Sequence, residues 1–137
     1  MGAIHTVVFS GFSSEALADR INDCGAKILV TADGSFRRGK IIQIKKNADR
    51  ALEITPSIEK VLVVKRSGQD IEIKEGRDVW YEDAMKAVPE NTYVPPEPMQ
   101  ATDPLFVLYT SGTTGKPKGV QHGVGGYNVW AYWTLKW

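Results

Sequence analysis

Four short apolar runs punctuate the chain, at residues 4–9, 27–31, 60–64 and 105–109, and the stretches between them carry helical spacing or turn residues. Runs of this length, rich in Val and Ile, suit strands buried on both faces, which read as continuous rather than alternating apolar sequence. Strands that alternate with helices predict an α/β layered fold.

The first run, Ile4 to Phe9, begins almost at the first residue with no element before it. Ser13 or Ser14 can cap a helix with Glu15 near its start, Leu17, Ile21 and Cys24 on one face, and Gly25 as its stop. The run 27–31 then reads as a buried strand closed by Ala32, Asp33 and Gly34, so the first third predicts one βαβ unit. A short helix over 47–52 precedes the strand at 60–64, and Trp80, Ala84, Ala87 and Val88 recur at helical spacing. Pro89, Pro95, Pro96 and Pro98 forbid regular structure over 89–98, a stretch that reads as a linker or surface crossing.

A helix-compatible segment begins near Gly123, and Trp130, Trp133 and Trp137 lie three and four residues apart within it. That spacing predicts a stripe facing the core, and an apolar patch prone to self-association if its partners are lost. The stretch 119–135 carries no charge, but four glycines, Gln121, His122 and Asn128 interrupt it, which predicts a soluble helix with an apolar face rather than a membrane span.

With 137 residues the chain supports one domain, taken here as 1–137. Seventeen Lys+Arg against sixteen Asp+Glu leave a net charge of +1, so no global field draws nucleic acid or an acidic membrane. Cys24, the one cysteine, cannot form an intrachain disulfide and is assigned to packing. His5 and His122 lack zinc-ligand spacing, so no metal site is expected, and His122 is read as structural. A short apolar start with its first basic residue at Arg20 is no secretory signal, and the expected location is the cytoplasm.

The sharpest chemistry lies in Tyr109-Thr110-Ser111-Gly112-Thr113-Thr114-Gly115-Lys116-Pro117-Lys118-Gly119-Val120. Its glycines let backbone N–H groups approach a polyphosphate, Ser111, Thr113 and Thr114 offer hydroxyls, and Lys116 and Lys118 supply charge. A Walker A loop is excluded, because counting from Gly112 places Pro117 where the second glycine should stand. A strand before the loop and a helix after it would complete an anion cradle.

This loop resembles the phosphate loop of the adenylate-forming superfamily, a Ser/Thr/Gly run ending in Gly-x-Pro-Lys-Gly. Within that superfamily the chain looks most like the AMP-forming acetyl-CoA synthetases, through residues 4–12, Arg37-Arg38-Gly39-Lys40, the approach from Asp103 to Tyr109, and the Gln121-His122-Gly123 and Gly125-Gly126-Tyr127 pieces. The resemblance spans essentially the whole chain but only an inner part of a much longer synthetase.

It implies a piece of the large N-terminal adenylation domain, with strands belonging to a partial, doubly wound, mostly parallel sheet and the C-terminal lid absent. It implies activation of acetate with ATP to acetyl-adenylate and pyrophosphate, then transfer to coenzyme A. Thr110, Ser111, Gly112, Thr113, Thr114, Gly115, Lys116 and Lys118 would then hold the ATP phosphates, with Lys116 and Thr113 in the catalytic part, stabilising charge rather than forming covalent bonds. Arg37 and Lys40 match the family's Arg-x-Gly-Arg contact to the phosphates of coenzyme A, and a lysine in place of the second arginine weakens bidentate recognition there. The Mg2+ ligands and the acyl pocket would lie outside the chain, leaving it unable to complete either half-reaction alone. Other readings are a different short-chain acyl-CoA synthetase, a non-catalytic module for nucleotide or coenzyme A phosphates, and an interaction fragment.

Overall fold

The computed structural model describes residues 1–111 and 115–137. Along them run β1 (His5–Thr6), α1 (Ser14–Cys24), β2 (Ile28–Ala32), β3 (Ser35–Arg37), β4 (Lys40–Ile42), α2 (Ile44–Leu52) and β5 (Lys60–Val64). Then come β6 (Asp78–Trp80), α3 (Tyr81–Lys86), β7 (Pro104–Thr110), β8 (Lys118–Gly123) and α4 (Val124–Lys136). The chain divides into two units, one of Phe9–Thr92 and one of Met1–Val8 with Tyr93–Trp137.

In the unit Phe9–Thr92, a parallel sheet runs in the order β2-β5-β6. Helix α1 starts and stops where capping chemistry places its ends. The Ser13 side chain accepts from the Ala16 N–H at 3.2 Å, and Gly25 takes the left-handed conformation at φ 60°. The sheet is covered mainly from one side. Val61 and Val63 are fully buried, and their register partners Leu29 and Thr31 are half-buried, whereas the alternate positions Ile28 and Val30 are 64% and 63% exposed. The expected buried strand at 27–31 is therefore an edge strand with one open face.

The βαβ unit expected over the first third does not form. His5 and Thr6 pair with Phe106 and Val107 of β7, while β2 pairs with β5, so the two strands belong to different sheets. The parallel crossover instead joins β2 to β5 by way of the β3–β4 hairpin and α2. At the hairpin tip Arg38 and Gly39 both have positive φ, 49° and 75°, the pattern of a type I′ turn, whose twist matches that of the flanking strands. Cys24, expected to pack, is exposed at the last turn of α1, whose buried side is formed by Ser14, Ala18, Arg20 and Ile21.

Two buried polar centres hold this unit together. Asp33, fully buried at the end of β2, accepts N–H groups from Gly34, Arg66, Ser67 and Gly68 at 2.6–3.1 Å, gathering the turn after β5 around one carboxylate. Lys45 on α2 is 1% exposed, yet its Nζ lies 2.8 Å from Asp78 and 2.7 Å from Asp49 and donates to the Glu72 carbonyl at 3.1 Å. Arg77 closes the network with 2.6 Å contacts to Asp49 and Asp78. All charges in it are paired, the condition for tolerating buried ions.

In the other unit, a sheet of order β1-β7-β8 has β1 parallel and β8 antiparallel to β7. Helix α4 lacks a side-chain cap, and its first N–H groups, Val124 and Gly125, donate to the carbonyls of Asp103 and Ala101, both at 2.9 Å. Residues 119–123 of the uncharged stretch belong to strand β8 rather than to a helix. The tryptophan stripe does not face a core: Trp130 is 69% and Trp137 96% exposed, and no residue of α4 is buried. No helix among the described residues is long and apolar enough to cross a membrane.

Both polar centres predict measurable effects. Lys45→Ala removes one of the two cations held against Asp78, with Arg77 and the Lys74 N–H still bonded to it, and is expected to lower the unfolding free energy by about 2–3 kcal/mol, read from urea midpoints. Burial opposes ionisation of Asp33, but the N–H groups of Ser67, Arg66, Gly34 and Gly68 outweigh it and hold the pKa at about 2, below the ordinary 3.8. A folded-state pKa below the unfolded one stabilises above pH ~4, and that contribution, on the order of 2 kcal/mol, is lost as pH falls towards 2. Asp33→Asn is expected to flatten that acid limb in a stability-against-pH series, leaving the part due to Asp78.

Candidate functional site

The unit Phe9–Thr92 carries an open pocket of about 370 Å³. Its walls are the turn at residues 10–12, Arg37 and Ile42 from the β3–β4 hairpin, and Gln43, Lys46, Asn47 and Arg50 from α2. The turn is fixed by local bonds, with the Phe12 N–H donating to the Phe9 carbonyl at 3.0 Å and Asn47 Nδ2 donating to the Phe12 carbonyl at 2.9 Å. Phe9 and Phe12 meet edge to face at 6.0 Å. The Arg37 guanidinium lies 5.8 Å from the Phe9 ring centroid, and that of Arg20 lies 4.5 Å from Phe12.

Gly11 explains how Arg37 enters this wall. A Cβ there would stand 2.5 Å from the Phe9 ring and 3.1 Å from Arg37 Nη1, so glycine leaves both side chains where they lie. Of the two residues expected to meet coenzyme A phosphates, Arg37 lines the pocket; Lys40, its partner across the hairpin, does not. Sequence reading missed Lys46 and Arg50, although their spacing of four residues places them on one helix face.

The phosphate-type loop lies in the other unit, at the tip of the β7–β8 hairpin. The pairing ends at Thr110 opposite Lys118, with Tyr109 opposite Gly119. Thr110, Ser111, Gly115, Lys116 and Lys118 are all exposed there, and Gly115 has φ +80°, a conformation that favours glycine. Gly112, Thr113 and Thr114 lie outside the described residues. The expected strand–loop–helix arrangement is corrected to strand–loop–strand, because β8 intervenes and the first N–H groups of α4 are already taken by the 101–103 turn. Among the described residues the loop offers the hydroxyls of Thr110 and Ser111 and the ammonium groups of Lys116 and Lys118, without a helix dipole.

His122 stacks on Phe106 at 4.6 Å with an interplanar angle of 24°, and Tyr127 meets the same ring edge to face at 5.1 Å. Among the described residues, no group of three or more His, Cys, Asp or Glu could hold a metal ion.

With this geometry in place, comparison with known proteins is direct. Residues 1–136 match the AMP-binding enzyme family, and the chain belongs to it. It is 53% identical over 138 residues to an acetyl-coenzyme A synthetase of Pyrobaculum arsenaticum, covering 100% of this chain and 21% of that protein. An acetyl-coenzyme A synthetase of Coprinopsis cinerea is 55% identical over 137 residues, covering 100% of this chain and 20% of its own length. The structure of an acetoacetyl-CoA synthetase from Streptomyces lividans superposes with a TM-score of 0.72 at 29% identity, covering 86% of this chain and 17% of that one. The chain thus spans about a fifth of the length of the curated relatives it matches.

Gly11→Ala is expected to displace the exposed Phe9 ring or the end of Arg37 and to cost less than about 1 kcal/mol, as a surface substitution does. Chemical denaturation measures the cost, and aromatic NMR shifts of Phe9 report the displacement.

Proposed function

We propose that the chain is a piece of an acid–thiol ligase that activates acetate with ATP to acetyl-AMP and pyrophosphate and passes the acetyl group to coenzyme A. The observation that carries this reading is the sequence from Tyr109 to Val120 at a hairpin tip, in a chain more than half identical to acetyl-coenzyme A synthetases. The described loop residues suit polyphosphate by charge and by donor type. Thr110 and Ser111 bring hydroxyls, Gly115 a left-handed turn without a side chain, and Lys116 and Lys118 two ammonium groups.

In this reading Gly112, Thr113 and Thr114 continue the same contact, with Thr113 and Lys116 in the catalytic part. Their work is to hold the β- and γ-phosphates and stabilise charge as pyrophosphate departs. Arg37 meets the phosphates of coenzyme A, with Lys40 on the same hairpin. Magnesium, when bound, neutralises phosphate charge; its ligands, the acyl pocket and the lid domain are assigned to segments outside this chain. The chain, as part of the N-terminal adenylation domain, completes neither half-reaction alone. It works in the cytoplasm on small molecules, without nucleic acid or membrane, and the exposed tryptophans of α4 favour self-association.

A wider acyl range is the second reading. The chain is also 53% identical over 140 residues to a 3-hydroxypropionyl-coenzyme A synthetase of Sulfurisphaera tokodaii, so its sequence is compatible with short acids other than acetate.

A thermal unfolding scan with and without Mg-ATP tests the phosphate loop. ATP at about 100 times its dissociation constant is expected to add roughly 2.7 kcal/mol to a cooperative transition, and Lys116→Ala to abolish the gain. A transition indifferent to ATP would overturn the loop assignment. Acetyl-CoA formation by the purified chain above a Lys116→Ala control would overturn its expected incompetence.

A further inference from the structure

Two glycines of the β7–β8 hairpin are glycine for opposite reasons. Gly115, at the tip, has φ +80° and open space where a Cβ would stand, so its requirement is conformational. Gly119 lies within β8 and is not in the left-handed region. A Cβ there would stand 3.0 Å from Val107 Cγ1 and 3.1 and 3.3 Å from Cε1 and Cζ of the Tyr109 ring. Its requirement is space, and the space is taken by two side chains of the facing strand.

The register explains why those two converge. Tyr109 stands directly opposite Gly119, and Val107, two residues earlier on β7, points to the same side of the sheet. The Tyr109 ring thus lies across the strands and covers a glycine that would otherwise weaken β8. One pair further on, Thr110 stands opposite Lys118, both on the other side of the sheet, and there the pairing ends. Among residues 118–122 only position 119 is glycine, so the ring has one seat on β8. A slip of one residue would turn Lys118 to the side of the ring and away from Thr110.

We propose that Tyr109 is a positioning residue for the phosphate loop: its ring, seated on Gly119, locks the register that places Thr110 and Lys118 together on one side at the two ends of the loop. Gly119 then serves the ring and not the phosphate. The inference rests on the phosphate-loop reading above and deepens it, since it separates the residues that meet the anion from the pair behind them that holds them in place. Lysine is a compact charge on a flexible stem, so where its ammonium can reach is set by where its backbone is held.

Titration calorimetry of the full chain with Mg-ATP tests this as a double-mutant cycle, circular dichroism verifying that each variant is folded. Gly119→Ala is expected to weaken binding about fivefold by lifting the ring, and Tyr109→Val, which keeps a good strand former, to weaken it by a similar factor. Tyr109→Phe, which keeps the ring, is expected to stay within about twofold of wild type. In the Tyr109→Val background the added methyl can move off Val107 into the vacated space, and Gly119→Ala is expected to change affinity by less than about twofold. Without ATP, the amide NMR shifts of Thr110 and Lys118 are expected to move in Gly119→Ala. A Gly119→Ala penalty of the same size with and without the ring means that Gly119 serves the phosphate directly, which overturns the inference while the phosphate-loop reading survives. Wild-type affinity in Gly119→Ala or Tyr109→Val, or unmoved amide shifts, has the same consequence. Wild-type chain that does not bind Mg-ATP overturns both.

Discussion

An ammonium group in the interior sets the geometry of the larger unit. Lys45 is buried as deeply as the valines of β5, and it is tolerated there because Asp49, Asp78 and the Glu72 carbonyl surround its Nζ. Burial works against the Asp78 carboxylate, but hydrogen bonds from Arg77 and Lys45 prevail and hold its pKa at about 2, so the network remains charged across the physiological range. Such a network contributes orientation more than net stability, since an apolar replacement of equal volume can match it in energy. Its consequence here is rotational: α2 can turn only one face inward. The residue after Lys45 is then committed to the opposite environment, which is how Lys46 reaches the pocket.

That inward face is small. Ala48 and Ala51 let α2 come close to its neighbours, and with Ala18 and Ile21 of α1 and Val61 and Val63 of β5 they make up the buried apolar core. Apolar faces elsewhere remain open, at Ile28 and Val30 on β2 and along α4 in the other unit. Exposed area of this kind is unusual for a monomeric soluble protein and marks a surface that another apolar surface would cover. The edge strand β2 adds unpaired backbone groups to its open face. The unit Phe9–Thr92 therefore owes its definition to polar networks and local caps as much as to apolar burial.

Capping and turn chemistry were legible in the sequence because they are local. Ser13, Glu15 and Gly25 set the ends of α1, and the strand at 60–64 is where its valines place it. Pairing was not legible. Nothing in residues 4–9 says that His5 and Thr6 belong beside β7 rather than beside β2, since the choice is made by contacts about a hundred residues apart in sequence. Strand β8 was hidden for a related reason: Lys118, Gly119 and Gln121 are poor strand formers held extended by the register of β7. In the site, Arg37 and the loop lysines could be read from motifs, whereas Lys46 and Arg50 form part of no motif. Their place in the pocket lining depends on which side of α2 is buried, and that side includes a lysine, the residue that hydrophobic periodicity discards first.

The hairpin setting of the Thr110–Lys118 loop changes how charge is held there. A loop that opens a helix shares its anion with a row of free N–H groups and a dipole. Here the first N–H groups of α4 are already bonded to Ala101 and Asp103, and β8 stands between helix and loop. In the proposed reading, attraction for polyphosphate would then fall largely to Lys116 and Lys118, both exposed. Exposed lysines are screened by salt and bind as compact point charges rather than as rigid forks. Glycine at position 115, at φ +80°, gives the chain a left-handed turn there without the strain a side chain would add.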